Sequence, residues 1–475
     1  MLSNNIQNAS AAGNVEEEIR MSDRASDPLL RLNRQRTRDE LQSNALKVVL
    51  DYHRLILNWG TGVGKSRVAV RLMDTLVTRG RTSILLLVQE TAHKKNWKRE
   101  LVDTVGERRA EQLLNCVTIE CYASLHKHEG TSWDCIIADE AHHLRSDIRT
   151  SVLSTMSAKY VLCLTATLSE KGDADLLIRT LNETFGEFQT LWFDVQRAID
   201  NKIIAEPRVY VHVLDLAKIS RPQTILVDWG MSWMIKGEPK EVSYNRAKYM
   251  FDHRGQDSFK NFQVSCTCPA DKAYAFLTEV FNARKQERDD LLNSISCETD
   301  ASKRRAMHKQ VLYAENAIKL AGARRKNFLG HCKTVFAAWL LRQLDASGKK
   351  YICFCSDVAQ GVELGGDNAI YSKRGKNLEV IDAFNDGEIH NLFAVDMIQE
   401  GQNLNGIDAG VIIQLGGKER AFVQKFGRAL RSKSPEQHII VMDHTRDVDY
   451  LKIAIENINR KYVFVKYWPP KKKAR

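Results

Sequence analysis

The sequence has no apolar run long enough to span a bilayer, and its N-terminus, "MLSNNIQNASAAGNVEEEIR", lacks the basic-then-apolar order of a signal peptide. These absences argue against a membrane-spanning or secreted protein and predict a soluble, intracellular one. Of its 475 residues, 43% are apolar and 27% are charged, which is typical of globular chains. The length is sufficient for about two or three domains, each with its own core.

Cysteine pairs at zinc-binding spacing are also lacking. The ten cysteines are scattered, mostly within apolar strand-like runs, and the two close pairs, Cys266/Cys268 and Cys353/Cys355, are C-x-C rather than C-x-x-C. This pattern argues against a zinc site. It is typical of reduced thiols in a cytosol rather than of a disulfide framework.

Acidic residues are fewer than basic ones. Seventy Lys and Arg face 59 Asp and Glu, which leaves a formal charge of +11 and a pI near 9.0. The balance fits a polyanionic partner, although excess charge alone is usually just a solvated surface.

Composition divides the chain into five parts. Residues 1–35 are polar and predict a disordered tail, and residues 466–475 form a basic C-terminal tail. Residues 36–205 and 331–465 alternate short apolar runs, such as "WDCIIADE" and "HIIVMDH", with amphipathic stretches. Strands that are apolar on both faces and separated by helices indicate doubly wound parallel sheets, so we expect two α/β domains.

The region between these domains, residues 206–330, is expected to be a linker with a helical insert. Residues 270–326 have helical apolar spacing, and the polar stretch "SCETDAS" within them predicts a helical hairpin. From Lys303 to Lys326 there are eight Lys or Arg and one Glu. They predict either a basic stripe that binds nucleic acid or a solvated face that stiffens the linker.

One glycine is missing where a phosphate-binding loop would have it. The stretch "NWGTGVGKS" ends in G-K-S, but the first glycine of G-x-x-x-x-G-K-[S/T] is replaced by Trp59. The loop still lies between the strand-like "RLILNW" and a helical stretch, the order that phosphate binding requires. Gly62 and Gly64 would turn backbone N–H groups toward a phosphate, Lys65 would reach the β/γ oxygens, and Ser66 would ligate Mg²⁺. The alternative is a glycine turn before a surface helix.

Carboxylates follow a second buried strand. "WDCIIADEAHHL" ends its apolar run at Asp139 and Glu140, which a parallel sheet delivers to the same edge as the loop. Asp139 can hold Mg²⁺ through water, and Glu140 can polarise the water that attacks a γ-phosphate. A further strand, "YVLCL", delivers Thr165 and Thr167 to that edge. Each motif alone could be a capped helix start or a polar turn, but their joint order makes those alternatives improbable.

From about Arg38 to Arg431 these motifs resemble superfamily 2 helicases and translocases of the DEAH-box type. In that superfamily the loop commonly reads x-x-T-G-x-G-K-[S/T], so Trp59 marks a branch and not a defect. "RDELQ" resembles the upstream adenine-reading motif and implies that Gln42 contacts the base. The resemblance assigns the nucleotide-binding loop to Thr61, Gly62, Val63, Gly64, Lys65 and Ser66. "LLLVQETAHKKNW" and "VTIECYASL" are similar to motifs that touch a nucleic-acid backbone.

The second α/β unit continues the resemblance. "KKYICFCSDVAQ" is similar to the motif that opens a second RecA-like domain, and "EGQNL" resembles motif V, which implies that Gly401 and Asn403 bind nucleotide. "QKFGRALR" matches Q-x-x-G-R-x-x-R and implies catalytic roles for Gln424, Arg428 and Arg431. Such arginines can stabilise charge that develops at the γ-phosphate when two domains close. The alternative is a helix with a cationic face.

The resemblance implies two RecA-like domains with ATP and Mg²⁺ between them, and a motor that moves along nucleic acid or unwinds it. The motifs look most like those of type III restriction ATPases, Snf2-like remodellers and phage recombination helicases, so DNA is the expected partner. Backbone contacts should make binding independent of sequence and sensitive to salt.

Three alternatives remain open. The chain could be the motor subunit of a larger nuclease, replication or recombination assembly, or it could be an RNA helicase. It could also be a non-hydrolysing adaptor, although the intact Lys65, Glu140, Arg428 and Arg431 argue against that. The expected location is the cytoplasm, or a host cytoplasm for a viral protein. The tail "PPKKKAR" resembles a nuclear-import signal but could simply add affinity for phosphates.

Overall fold

The computed structural model describes residues 37–60, 62–166, 173–230, 238–372, 374–395, 404, 406–416, 434–456 and 458–469. Its strands are β1 (Arg54–Trp59), β2 (Ile84–Val88), β3 (Val117–Cys121), β4 (Ser132–Asp139), β5 (Ser157–Thr165), β6 (Gln189–Phe193), β7 (Arg208–Leu214), β8 (Gln223–Trp229), β9 (Lys240–Glu241), β10 (Phe262–Cys268), β11 (Tyr351–Phe354), β12 (Ala369–Tyr371), β13 (Asn391–Val395), β14 (Ala409–Ile412), β15 (Glu436–Met442) and β16 (Val463–Trp468). Its α-helices are α1 (Arg38–Tyr52), α2 (Lys65–Thr78), α3 (Thr91–Val105), α4 (Glu107–Leu114), α5 (Asp147–Ser154), α6 (Asp173–Phe185), α7 (Val195–Asp200), α8 (Tyr244–Asp252), α9 (Ala270–Cys297), α10 (Ala301–Cys332), α11 (Thr334–Ala346), α12 (Val358–Gly365), α13 (Asn377–Asp386) and α14 (Arg446–Ile455).

The first sheet is parallel, with strand order β3-β2-β4-β5-β1-β6. Strands β1 and β2 are buried along nearly their whole length, and β4 and β5 are buried mainly in their C-terminal parts. Apolar clusters cover both faces of the sheet, one around Leu57 and Leu86 and the other around Ile56 and Leu85. Such strands need helices on both sides, which gives the predicted doubly wound domain. Because β5 lies between β1 and β4, the residues that follow these strands meet at one carboxyl edge.

The second sheet is also parallel and has the order β12-β13-β11-β14-β15-β7-β16. Two α/β parallel-sheet domains, as predicted, are therefore present. Strand β7 comes from the segment that sequence patterning assigned to the linker, and β16 crosses the expected start of the basic tail. The reason is pairing, because β7 fills the place between β15 and β16 and buries Val209, Val211 and Val213 on one face.

The insert between the domains contains a small sheet, β8-β10-β9, and the predicted helical hairpin, α9 and α10. The two helices flank the polar break, where the side chain of Asp300 caps α10 by accepting hydrogen bonds from the N–H groups of Ser302 and Lys303. The core of the insert, around Phe276, extends to Met442 of the second sheet, so the insert packs on the second domain. Although α9 and α10 have 28 and 32 residues, no helix in the described ranges is both long and apolar enough to cross a membrane.

Candidate nucleotide site

Two glycines of the loop between β1 and α2, Gly62 and Gly64, were predicted to turn N–H groups toward a phosphate. Gly62 and Gly64 have φ values of +87° and +99°, in the left-handed region that glycine adopts without strain. A Cβ on Gly64 would lie 2.2 Å from Nε2 of Gln42, so no other residue fits there without displacing that side chain. The loop leads directly into the N-terminus of α2, whose first N–H groups have no partner within the helix and attract anions.

The structure explains the tryptophan that replaces the first glycine. Trp59 is the last residue of the extended strand β1, where a left-handed backbone is not needed. Its indole is only 2% exposed and meets the ring of Phe193 edge-on, with 6.4 Å between ring centroids. Its carbonyl oxygen accepts a 2.8 Å hydrogen bond from Nζ of Lys65. Trp59 therefore contributes its backbone carbonyl to the contact with Lys65 and its side chain to the hydrophobic core.

The side chain of Gln42 contacts the loop between β1 and α2. It is buried on α1, and its Nε2 donates a 3.1 Å hydrogen bond to the carbonyl of Val63. Helix α1 is held at its start by Thr37 and Glu40, each of which bonds the backbone N–H of the other. Gln42 thus supports the loop before α2 in the structure, and its contact with adenine stays a prediction.

Asp139, at the end of β4, is held by two aromatic side chains. Its carboxylate accepts a 2.8 Å hydrogen bond from Nε1 of Trp97, and its carbonyl accepts one of 2.6 Å from the hydroxyl of Tyr122. Burial raises the pKa of Asp139 above its usual value, whereas the Trp97 hydrogen bond and the charge of Lys65 lower it. The ionised form of Asp139 is therefore favoured by Trp97 and Lys65 and disfavoured by burial.

Sequence reasoning did not identify Trp97 or Tyr122 as individual site residues. Both were quoted only within motifs expected to touch nucleic acid. A signal was nevertheless present, since Trp97 follows β2 and β2 pairs with β4, so both strands end at the same edge.

Glu140 has an unusual backbone for a glutamate. Its φ and ψ are 50° and 55°, in the left-handed region that non-glycine residues rarely occupy. Its Oε2 lies 3.4 Å from Nδ1 of the buried His142. Strained backbone at a strand end often marks a functional position.

The donor types at this edge fit a nucleotide with Mg²⁺. Ser66 is the second residue of α2 and Asp139 is the last residue of β4. Hydroxyl and carboxylate oxygens are ligands of the kind that Mg²⁺ prefers. Among the described residues, no group of three or more His, Cys, Asp or Glu is arranged to hold a metal by itself. Mg²⁺ in nucleotide sites usually relies on one or two carboxylates together with substrate phosphates, so the edge matches that pattern.

The structure therefore brings Gln42, Gly62, Val63, Gly64, Lys65, Ser66, Asp139 and Glu140 to one region of the first domain. The other predicted site residues lie outside the described residues; they are Thr61, Gly401, Asn403, Gln424, Arg428 and Arg431.

Comparisons with known proteins follow the same division of the chain. Residues 34–170 match the family model of the type III restriction enzyme, res subunit, and residues 338–433 match that of the helicase conserved C-terminal domain. Each matched region contains one of the two parallel-sheet domains or most of it. The chain thus contains two regions that are similar to the motor domains of superfamily 2 helicases. Members of this superfamily use ATP with Mg²⁺.

Two solved structures are similar to the chain. The helicase domain of Hef from Pyrococcus furiosus has 15% identity and a TM-score of 0.44, and the match covers 87% of this chain and 98% of that one. The SWI2/SNF2 ATPase core of Sulfolobus solfataricus, in complex with dsDNA, has 12% identity and a TM-score of 0.33, with coverage of 89% and 94%. Comparison with curated protein sequences gives no match.

Proposed function

We propose that this protein is a nucleic-acid-dependent ATPase that converts ATP hydrolysis between its two sheet domains into movement along DNA or unwinding of it. The observation that carries the proposal is the meeting of Lys65, Asp139 and Glu140 at one sheet edge, beside a loop in which Gly62 and Gly64 have left-handed backbones. The match of residues 34–170 to a restriction-enzyme subunit model favours DNA over RNA.

Each side chain at the edge has a distinct role in this proposal. Lys65, which bonds the carbonyl of Trp59, exchanges that partner for phosphate oxygens when ATP enters. Glu140 accepts the proton of the attacking water, and the adjacent His142 limits the positions that its carboxylate can take. Ser66 and Asp139 would hold Mg²⁺, which neutralises charge on the phosphates.

The second domain completes the site on closure. Gln424, Arg428 and Arg431 follow β14 in sequence, and the arginines stabilise the charge that develops at the γ-phosphate. Thr61 on the first domain, and Gly401 and Asn403 on the second, add nucleotide contacts. Because the phosphate-binding residues belong to the first domain and the arginines to the second, nucleic acid that favours closure of the two domains accelerates hydrolysis.

The exposed face of α10 is the proposed nucleic-acid contact of the insert. Arg304, Arg305, Lys309 and Lys319 are exposed on it, and within the described part of the chain none of the four pairs with a carboxylate. Leu312, Tyr313 and Leu320 are interleaved with them and are 60%, 47% and 54% exposed. Unpaired cations interleaved with apolar and aromatic groups suit phosphates and unstacked bases.

The proposal is tested by measuring ATP hydrolysis by the wild-type protein and by Glu140→Gln. Each is measured with single-stranded DNA, duplex DNA, branched DNA and RNA in turn. The wild-type protein should be stimulated more by DNA than by RNA. The variant should bind ATP and Mg²⁺ but hydrolyse ATP orders of magnitude more slowly, because the water loses its positioned carboxylate. Glu107→Gln, which changes an exposed acid of the same domain, is the control and should behave as wild type. Near-normal turnover in Glu140→Gln would assign the base elsewhere, and absence of any nucleic-acid stimulation would contradict the proposed dependence.

A further inference from the structure

A fully buried ion pair lies in the second domain, away from the nucleotide edge of the first. Lys333 and Asp447 are both 0% exposed, and Nζ of Lys333 lies 2.5 Å from Oδ2 of Asp447. The same ammonium donates to the carbonyl of Ile413 at 2.9 Å and to Oε1 of Gln414 at 2.8 Å. Its three N–H groups are therefore matched by three acceptors.

Asp447 is equally well matched. Its Oδ1 accepts a 2.7 Å hydrogen bond from Nε2 of Gln414, and its Oδ2 accepts one of 3.1 Å from the backbone N–H of Met442. Gln414 thus bonds both members of the pair. The result is a closed network in which each bond fixes a direction as well as a distance.

The location of this network connects two parts of the molecule. Lys333 is the single residue between α10 and α11, so it lies at the base of the helical hairpin. Ile413 and Gln414 follow β14, and Asp447 follows β15, so all three lie at the carboxyl edge of the second sheet. In sequence, Gln414 shortly precedes the segment that carries Arg428.

A second buried side chain joins the same two parts. Gln360 is 0% exposed, and its Nε2 donates to the carbonyl of Gly330 at 2.8 Å and to Oγ1 of Thr334 at 2.9 Å. Its Oε1 accepts hydrogen bonds from the N–H and hydroxyl of Ser356, which follows β11. A Cβ on Gly330 would lie 2.4 Å from Cβ of Ser356, so the hairpin base contacts this loop without space for any side chain.

The Lys333–Asp447 pair contributes more to the geometry of the attachment than to the stability of the fold. Burial lowers the pKa of Lys333, and the carboxylate of Asp447 opposes that shift. A buried ion pair of this kind often contributes no more to stability than apolar residues of the same volume. What an apolar pair would lose is the directional attachment of the hairpin to β14 and β15.

We propose that Lys333 is a positioning residue that fixes the α9–α10 hairpin to the carboxyl edge of the second sheet, so that hairpin and edge move as one rigid body. Nucleic acid bound at the hairpin then displaces the edge at Gln414, which precedes the arginine segment in sequence. This catalytic consequence rests on the proposed function, whereas the rigid attachment does not.

The rigid attachment is tested by a distance measurement. Spin labels are introduced through unnatural amino acids at positions 297, at the hairpin tip, and 363, on α12, and the width of their distance distribution is measured by pulsed electron paramagnetic resonance. The double variant Lys333→Met/Asp447→Asn removes both charges, so that no lone buried charge remains. The matched control, Lys349→Met/Glu436→Gln, removes an ion pair from the opposite edge of the same sheet.

We expect narrow distributions in the wild type and the control, and a width at least about twofold greater in the double variant, because the loss of three directional bonds frees the hairpin base. Gly330→Ala offers a second route, since it separates the hairpin from Ser356 without changing charge. Wild-type width in the double variant or in Gly330→Ala would overturn the proposal.

Stimulated and basal ATP turnover are measured on the same proteins. The ratio of stimulated to basal turnover should fall about tenfold in the double variant, with basal turnover little changed. If nucleic acid stimulated none of the proteins, the proposed function would be wrong, while the distance distributions would still decide the rigid attachment.

Discussion

The indole N–H of Trp97 donates a 2.8 Å hydrogen bond to the carboxylate of Asp139, which connects helix α3 to the end of strand β4. Burial raises the pKa of this carboxylate, and the indole is one of the groups that lower it. Trp97 therefore favours the ionised form of Asp139, the form that the proposed Mg²⁺ site requires.

Replacing this indole should impair metal use at low pH. In Trp97→Phe the pKa of Asp139 rises further, so the acid limb of the pH profile of ATP hydrolysis should move to higher pH, and half-maximal activity should need several-fold more Mg²⁺. Trp133→Phe, which removes the 2.8 Å bond from Trp133 to Thr131 near the other end of β4, is the control. Identical pH profiles for the two variants would show that the Trp97 bond is only structural.

Gln42 can be assigned to the loop or to the base by nucleotide preference. Because its Nε2 donates to the carbonyl of Val63, Gln42→Ala should raise the KM for ATP by loosening the phosphate-binding loop. If Gln42 also reads adenine, the preference for ATP over GTP should fall as well. Comparison of KM for the two nucleotides separates these roles, because an equal rise for both would exclude base reading.

Trp59 should matter for stability more than for binding. Trp59→Ala removes a buried indole and should lower the free energy of unfolding by about 3–5 kcal/mol. The carbonyl that Lys65 uses is retained, so the KM for ATP in the folded fraction should stay within a few-fold of wild type. Chemical denaturation and steady-state kinetics check the two parts. An unchanged unfolding free energy with a large change in KM would instead place the indole against the nucleotide.

A chain of hydrogen bonds on the second sheet leads to a pH prediction. Nε1 of Trp468 can only donate, so Nδ1 of His212, at 3.3 Å, accepts, and Nε2 of His212 then donates to Nδ1 of His438 at 3.0 Å. Nε2 of His438 in turn lies 3.5 Å from Oε2 of Glu436, and His438 together with Lys349 lowers the pKa of Glu436 to about 2. Burial, with the nearby His438 and Lys466, lowers the pKa of His212 to about 3.

The sign of the effect follows from the protonation of the two states. As the pH falls below about 6.5, the unfolded chain binds a proton at His212 before the folded chain does, so stability is lost between about pH 6.5 and pH 3. His212→Gln keeps a donor and an acceptor but cannot titrate, and it should flatten this acid-side slope. The free energy of unfolding against pH measures the effect, with the exposed His308→Gln as control. An unchanged slope in His212→Gln would show that another group causes the acid loss.

Several features of the first domain could be predicted because they depend on local pattern. The apolar runs before Lys65 and Asp139 indicated buried parallel strands, and parallel strands deliver their following residues to a common edge. Trp97 was not identified as a hydrogen-bond donor to Asp139, because that contact depends on which strand neighbours β4. The strand at Arg208–Leu214 was assigned to the linker because its partners, β15 and β16, follow much later in the chain.

The buried network of Lys333, Asp447 and Gln414 could not be predicted either, because its members are distant in sequence. In sequence, Lys333 is one cation among many near the end of a basic helix. Its burial depends on Asp447 and Gln414, which only the assembled second sheet brings to it. A charged residue whose partners are distant in sequence is read as exposed, since isolated charges are rarely buried.

Stimulated turnover of Arg428→Ala tests most directly whether ATP held at the first sheet is hydrolysed when the second domain supplies Arg428. The variant should bind ATP with nearly wild-type affinity, because the phosphate-binding loop supplies most contacts before closure. Its turnover in the presence of DNA should fall by about a thousandfold, as is typical of such arginines. Arg446→Ala, which changes an exposed arginine on α14, should retain wild-type turnover. Wild-type stimulated turnover in Arg428→Ala would contradict domain closure as the catalytic step.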